Sequence, residues 1–191
     1  PAKAFNTFLG GMAELISVPF ILVCAWSLGD IVDQMGTSDF LIHIVENYLT
    51  PGLVPGLIFL FGAFISFATG SSWGVWSIMM PIAIPMAIAF DLSIPYVAAS
   101  VIGGGLFGDQ CSPISDTTVM SSTGASCNHV VHVMTQLPYG ITVGVSAFIG
   151  FLFGGLSGQY VLSIGVTAVI LLIALFALTK LSRIRHPEVI H

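Results

Sequence analysis

The sequence predicts an all-α, polytopic transmembrane protein whose helices are discontinuous in two places, and three observations lead there. First, 55% of the 191 residues are hydrophobic and only 7% charged, with a mean hydropathy of +1.00; soluble domains carry about 25% charged residues. Second, apolar runs recur that are long enough to cross a hydrocarbon core of about 30 Å, which takes about 18 residues or more. Third, two of these runs are interrupted by clusters of Gly, Ser, Thr, Asp and Pro, TGSSWG at 69–74 and DQCSPISDTT at 109–118. The lipid bilayer is therefore the solvent to reason with. A net charge of −5 built from scattered acids rather than a run gives no basis for a nucleic-acid partner. Cys24, Cys111 and Cys127 lack C-x-x-C spacing and read as small core residues, not as a disulfide framework or a zinc site. The chain opens on Pro1, with no initiator methionine or cleavable leader ahead of its first apolar run, which reads as a piece of a longer polypeptide.

Taken in order, residues 8–28 form a first span that carries Glu14 and a potential kink at Pro19. An ionisable group inside a span has to face protein or a cavity, so Glu14 is a weaker functional candidate, paired with a group outside this chain. Residues 29–50 are more polar. There Ile31, Met35, Phe40, Ile44 and Val45 recur at loosely helical spacing among Asp30, Asp33, Asp39 and Glu46, which suggests an interfacial helix pair whose acids form a solvated face.

From Val54 to Phe90 the apolar character runs for 37 residues, too long for one span at 1.5 Å per residue. TGSSWG bends or breaks it. The next segment runs from Tyr96 through Gly108 and is interrupted from Asp109 to Thr118. Pro113 removes a backbone donor and disfavours helix in the residue before it, so the helix is expected to open near Cys111 and Ser112. Two conventional spans follow, at roughly 136–156 and 160–179. Three of the four basic residues, Lys180, Arg183 and Arg185, lie just beyond the last span, which puts that end in the cytoplasm by the positive-inside rule.

Inside a bilayer an unpaired backbone carbonyl or amide costs several kcal/mol, so irregular backbone persists only where it is buried in protein or lines a watery cavity. Two such stretches in succession need a purpose. Transporter folds place discontinuous helices at the membrane midplane, where freed carbonyls and half-helix ends hold small ions. The side chains agree: Thr69, Ser71 and Ser72 in the first break, and Asp109, Ser112, Ser115, Asp116, Thr117 and Thr118 in the second, all offer oxygen. Oxygen donors suit a hard cation such as Na+ and not zinc or copper, so no transition-metal site and no cofactor beyond the transported ions is expected. A carboxylate taken out of water favours its protonated form, whereas Na+ beside it favours the charged form, so proton and cation exclude one another. Mutual weakening by two to three orders of magnitude amounts to roughly 3 to 4 kcal/mol of coupling. Asp109, which ends an apolar run, is the prime shared carboxylate, with Asp116 beside it.

Other readings compete at each motif. GSSWG fits the G-x-S-x-G spacing of a hydrolase nucleophile elbow, which would make Ser72 catalytic, but an elbow needs a strand before it and helix-sized apolar runs flank it here. Gly70 and Gly74 have G-x-x-x-G spacing and could serve close helix packing alone. GGGLFG at 103–108 matches a dinucleotide fingerprint without the strand that gives it meaning; its glycines either admit close helix approach or open the backbone ahead of Asp109. Asp116 could cap the helix that resumes after Pro113. His129 and His132 share a face if that stretch is helical, and are pH-sensing candidates or plain interfacial residues.

The segments ATGSSWG, GDQCSPISDTTVMSSTGASCNHV and TQLPY resemble the NhaC-type sodium/proton antiporter family of the ion-transporter superfamily, and AWSLG at 25–29 adds to the likeness. The similarity covers nearly the whole chain and is most specific from Gly108 to His129. It implies a secondary transporter of about twice this length, built from inverted repeats, with residues 1–191 a transmembrane domain forming its C-terminal half. It also implies a prokaryotic plasma membrane, Na+ and protons as the exchanged ions, and a possible homodimer. Relatives of this kind include malate/lactate antiporters, so an organic-anion exchanger is the alternative cargo class. Val130 and Val131 stand where the resemblance would put an acidic residue between the two histidines.

Overall fold

A computed structural model describes residues 2–15 and 50–185, with isolated positions 23, 27, 31 and 34–36 between them. Every regular element among these residues is helical. The first helix, α1, is Ala2–Leu15; the remainder of the expected first span with Pro19, the side chain of Glu14, Cys24 and most of the interfacial pair lie outside the described residues.

A single 3-10 turn, Pro51–Leu53, leads into α2, Val54–Thr69. Pro55 suits the start of α2, where its missing N–H has no partner to lose. Gly70 ends the helix in the left-handed region, at φ +68, and its N–H bonds to Ser66 O at 2.8 Å. After one extended residue, Ser71, the chain re-enters helix as α3, Ser72–Ala89. The 37-residue apolar stretch is therefore two helices, not one broken span: Pro51–Thr69 and Ser72–Ala89 are each long and apolar enough to cross a membrane. The break is confined to Gly70 and Ser71, because Trp73 and Gly74 are already helical.

Helix α4 is Ile94–Cys111, and it stops where Pro113 dictates: Ser112, the residue before the proline, is extended at φ −77, ψ 129. A turn leads to the short α5, Asp116–Gly124, then to α6, His129–Ser157, and α7, Tyr160–Arg185. Helices α6 and α7 are also of spanning length and composition, so the chain is multi-pass. Both begin or end beyond the expected limits, α6 starting at His129 and α7 continuing past Lys180.

Helices α2 and α4 run parallel, with Phe59 against Gly104, and Ala63 and Phe67 against Gly108. A Cβ on Gly104 or Gly108 would overlap the main chain of α2, so these glycines serve close helix approach. The helix continues through Asp109 to Cys111, which rules out an opening ahead of the aspartate. Among the described residues nothing lies within 4 Å of a Cβ at Gly74, so they form no packing through a Gly70–Gly74 pair. Helix α3 returns antiparallel to α4, with Ser72 beside Asp109 and Trp76 Nε1 donating to Ile102 O at 3.3 Å. The core joins the three helices through Val54, Ile58, Ala83, Met86, Ala87, Val97 and Val101. Helix α6 runs back along α4, Gly144 against Phe107 and Gly150 accepting from Tyr96 Oη at 2.9 Å, and α7 reverses again along α6. The C-terminal ends of α2, α4 and α7 thus lie at one end of the bundle, with the N-terminus of α3.

Candidate functional site

The two breaks meet at that end. Gly70 O accepts from Asp116 N–H at 3.3 Å, and Gly70 lies so close to Ile114 O that no side chain fits between them. Ser112, fully buried, donates from Oγ to Phe67 O at 2.8 Å and accepts from Ile114 N–H at 3.3 Å. The two breaks are thus tied to each other and to α2 through Gly70 and Ser112, while Pro113 and Ile114 between them stay exposed.

At the junction lies Asp109, in the last turn of α4 and 2% exposed. Its Oδ2 accepts from Ser72 Oγ at 3.5 Å and from Thr117 Oγ1 at 3.2 Å. Thr117 has one proton, and it goes to the carboxylate. Ser115 Oγ, 2.9 Å from Thr117 Oγ1, must therefore donate to it, and Ser115 in turn accepts from Thr118 N–H at 3.2 Å. The result is a directed chain of donors from the start of α5 to the carboxylate. Asp109 Oδ1 is buried and has no hydrogen-bond partner among the described residues. A buried carboxylate oxygen without a hydrogen-bond partner is costly.

The structure brings together Asp109, Ser72, Ser115 and Thr117, with Ser112 supporting the turn. It does not bring in the others. Thr69 bonds back to Ile65 O at 2.9 Å on its own helix, and Ser71, half-buried, occupies the position before α3. Asp116 is exposed, its carboxylate accepting from Thr117 N–H at 2.7 Å. The cap expected of Asp116 is supplied by Ser115, one residue earlier, whose extended backbone aims its hydroxyl at Thr118 N–H. Cys111 is buried beside Gly140, whereas Cys127 is exposed in the turn before α6 and is not a core residue.

No strand precedes Ser72; α2 does, so the elbow geometry is absent. The site also lies near one end of α3 and α4, not at the middle of a span, because each break joins helices instead of splitting one. Among the described residues no group of three His, Cys, Asp or Glu side chains is placed to hold a metal ion.

Three relationships were not legible in the sequence. Ser66 Oγ donates to Gly105 O at 2.6 Å, fixing α2 on α4. Gln136 Nε2 donates to Gln110 O at 2.9 Å and to Gln110 Oε1 at 2.6 Å, fixing α6 on the end of α4. His129 reaches back to Pro113 O and Ser122 Oγ, whereas His132, one turn on, is half-buried. Single polar residues at these positions carry no periodic signal.

Residues 2–156 match the Na+/H+ antiporter family. An uncharacterized protein of Haemophilus influenzae is 40% identical over 92% of this chain and 34% of its own length. The malate-2H(+)/Na(+)-lactate antiporter of Bacillus subtilis is 27% identical over 78% of this chain and 33% of its own. The arginine/ornithine antiporter ArcD of Halobacterium salinarum is 27% identical over 71% of this chain and 27% of its own. The chain spans about a third of the length of these curated relatives or less, a smaller share than the half its motifs imply. No solved structure matches it. An oxygen-lined carboxylate between two helix breaks is thus found in a multi-pass membrane protein whose sequence matches a family over most of its length: the chain belongs to the Na+/H+ antiporter family.

Proposed function

We propose that this chain carries the ion site of a secondary transporter that exchanges Na+ for H+, with Asp109 as the carboxylate that the two ions share. The observation that carries this reading is the bare, buried Oδ1 of Asp109 beside an Oδ2 already served by two hydroxyls. A proton on the carboxylate, or an alkali cation against it, satisfies that oxygen, and each excludes the other because both need the same lone pairs. Ser72, Thr117 and Ser115 add neutral oxygens, which favour a hard alkali cation. Ser112 and Gly70 hold the breaks together, and Asp116 acts through the start of α5, not as a ligand.

Lys180 lies toward the end of α7, at the end of the bundle that holds Asp109, so the positive-inside rule turns the site toward the cytoplasmic face of a prokaryotic plasma membrane. The remaining part of the transporter, the inverted partner repeat in this reading, completes the pathway. A homodimer is compatible with it.

The second reading is an organic-solute antiporter, favoured by the names of two relatives. Between Lys3 and Lys180 the chain has no Lys or Arg, so it offers no guanidinium to clamp a malate or lactate carboxylate. That favours a bare cation at this site. The test is counterflow in everted vesicles carrying the full-length protein, with Na+, malate, lactate and arginine offered in turn. Na+-driven pH change that Asp109→Asn abolishes supports the proposal. Exchange of an organic solute without Na+-driven proton movement, or undiminished exchange in the variant, overturns it.

A further inference from the structure

One imidazole joins three segments beside the second break. His129 opens α6; its Nε2 lies 2.7 Å from Pro113 O and its Nδ1 3.1 Å from Ser122 Oγ. A proline carbonyl can only accept, so Nε2 carries a hydrogen and donates it. Ser122, 1% exposed on α5, also lies 3.0 Å from Val119 O. With a neutral ring the Ser122 hydroxyl donates to Nδ1. With a doubly protonated ring Nδ1 donates to Ser122, whose proton turns to Val119 O. Both ring nitrogens are thus matched in either state, and the contact is built, not incidental.

Pro113 sits between Ser112 and Ser115. On one side this turn is tied to α2 and its end by Ser112 Oγ on Phe67 O and by Asp116 N–H on Gly70 O. His129 ties it on the other side, to α6. The turn leads directly into Ser115 and Thr117, the donors that end on Asp109. Freeing Pro113 would let that first turn of α5 drift from the carboxylate without touching the carboxylate itself.

We propose that His129 is a positioning residue for ion exchange: it holds the Pro113 turn so that Thr117 and Ser115 stay aimed at Asp109. The inference rests on Asp109 being the exchange site, and it is tested in the full-length protein in everted vesicles by two measurements, the apparent KM for Na+ and amide hydrogen exchange over residues 112–118. His129→Leu, which removes both bonds, raises the KM roughly five- to tenfold, as the loss of one or two hydrogen bonds would, leaves the maximal rate largely intact, and speeds amide exchange in the turn. His129→Gln, whose amide can donate to Pro113 O and accept from Ser122, stays near wild type. Ser122→Ala, which keeps the Pro113 bond, falls between them, and with the Gln variant carries the test if the Leu variant does not fold. A Leu variant with wild-type KM and wild-type amide exchange overturns the proposal, as does a Gln variant no better than Leu. If Asp109→Asn leaves exchange intact, the ion-site reading fails separately, while faster amide exchange in the Leu variant still reports the tie itself.

Discussion

Ser72 and Asp109, 37 residues apart and both buried, meet across two helix ends, Ser72 Oγ donating to Asp109 Oδ2 at 3.5 Å. One residue starts a helix and the other lies in the last turn of another. Each break therefore contributes one partner, and neither break alone makes a site.

Asp109→Asn keeps the volume and one oxygen but removes the charge. Na+-driven pH change in everted vesicles should fall to background at unchanged protein abundance. Loss of bonds to a charged group predicts weakening of Na+ by at least about tenfold if residual activity allows a KM to be measured.

Asp116→Asn should behave differently. Its side chain is exposed and its contribution is to the first turn of α5, where a carboxylate meets the positive end of the helix. Exchange within about threefold of wild type is expected from so modest a term. A loss as large as that of Asp109→Asn would show that the two acids act together.

Ser72→Ala and Thr117→Val each remove one donor from Oδ2. Each should raise the apparent KM for Na+ by roughly three- to tenfold, and the two effects should not add, because both act on the same oxygen. A fluorophosphonate probe should leave Ser72 unlabelled, since no strand and turn present it as a nucleophile.

Gly108→Ala would drive a methyl group into the α2 backbone at Ala63 and Phe67. Overpacking of this kind costs about 1–3 kcal/mol, and the variant should show a lowered midpoint in a thermal unfolding assay in detergent. Gly74→Ala, whose new methyl meets open space, should be neutral or stabilising in the same assay.

The positions of the breaks were legible in the sequence because their causes are local. Pro113 restricts Ser112, and a left-handed φ of +68 at Gly70 is open to glycine at little strain. Asp109 was set ahead of Asp116 because it ends an apolar run whereas Asp116 could be a cap, but only the packing shows that one is buried in the helix junction and the other exposed. Thr69 was as plausible a donor as Thr117 until its hydroxyl was found bonded to its own helix.

By itself the sequence determined a membrane-embedded, all-helical chain broken near residues 70 and 112, because hydropathy and the backbone limits of glycine and proline act over a few residues. The tertiary structure decided which oxygens converge. That depends on the register between α2 and α4, set where Gly104 and Gly108 let two backbones touch, and on a Ser112–Phe67 tie between residues 45 apart. Interhelical register is a property of two surfaces in contact, and no local feature of either helix encodes it.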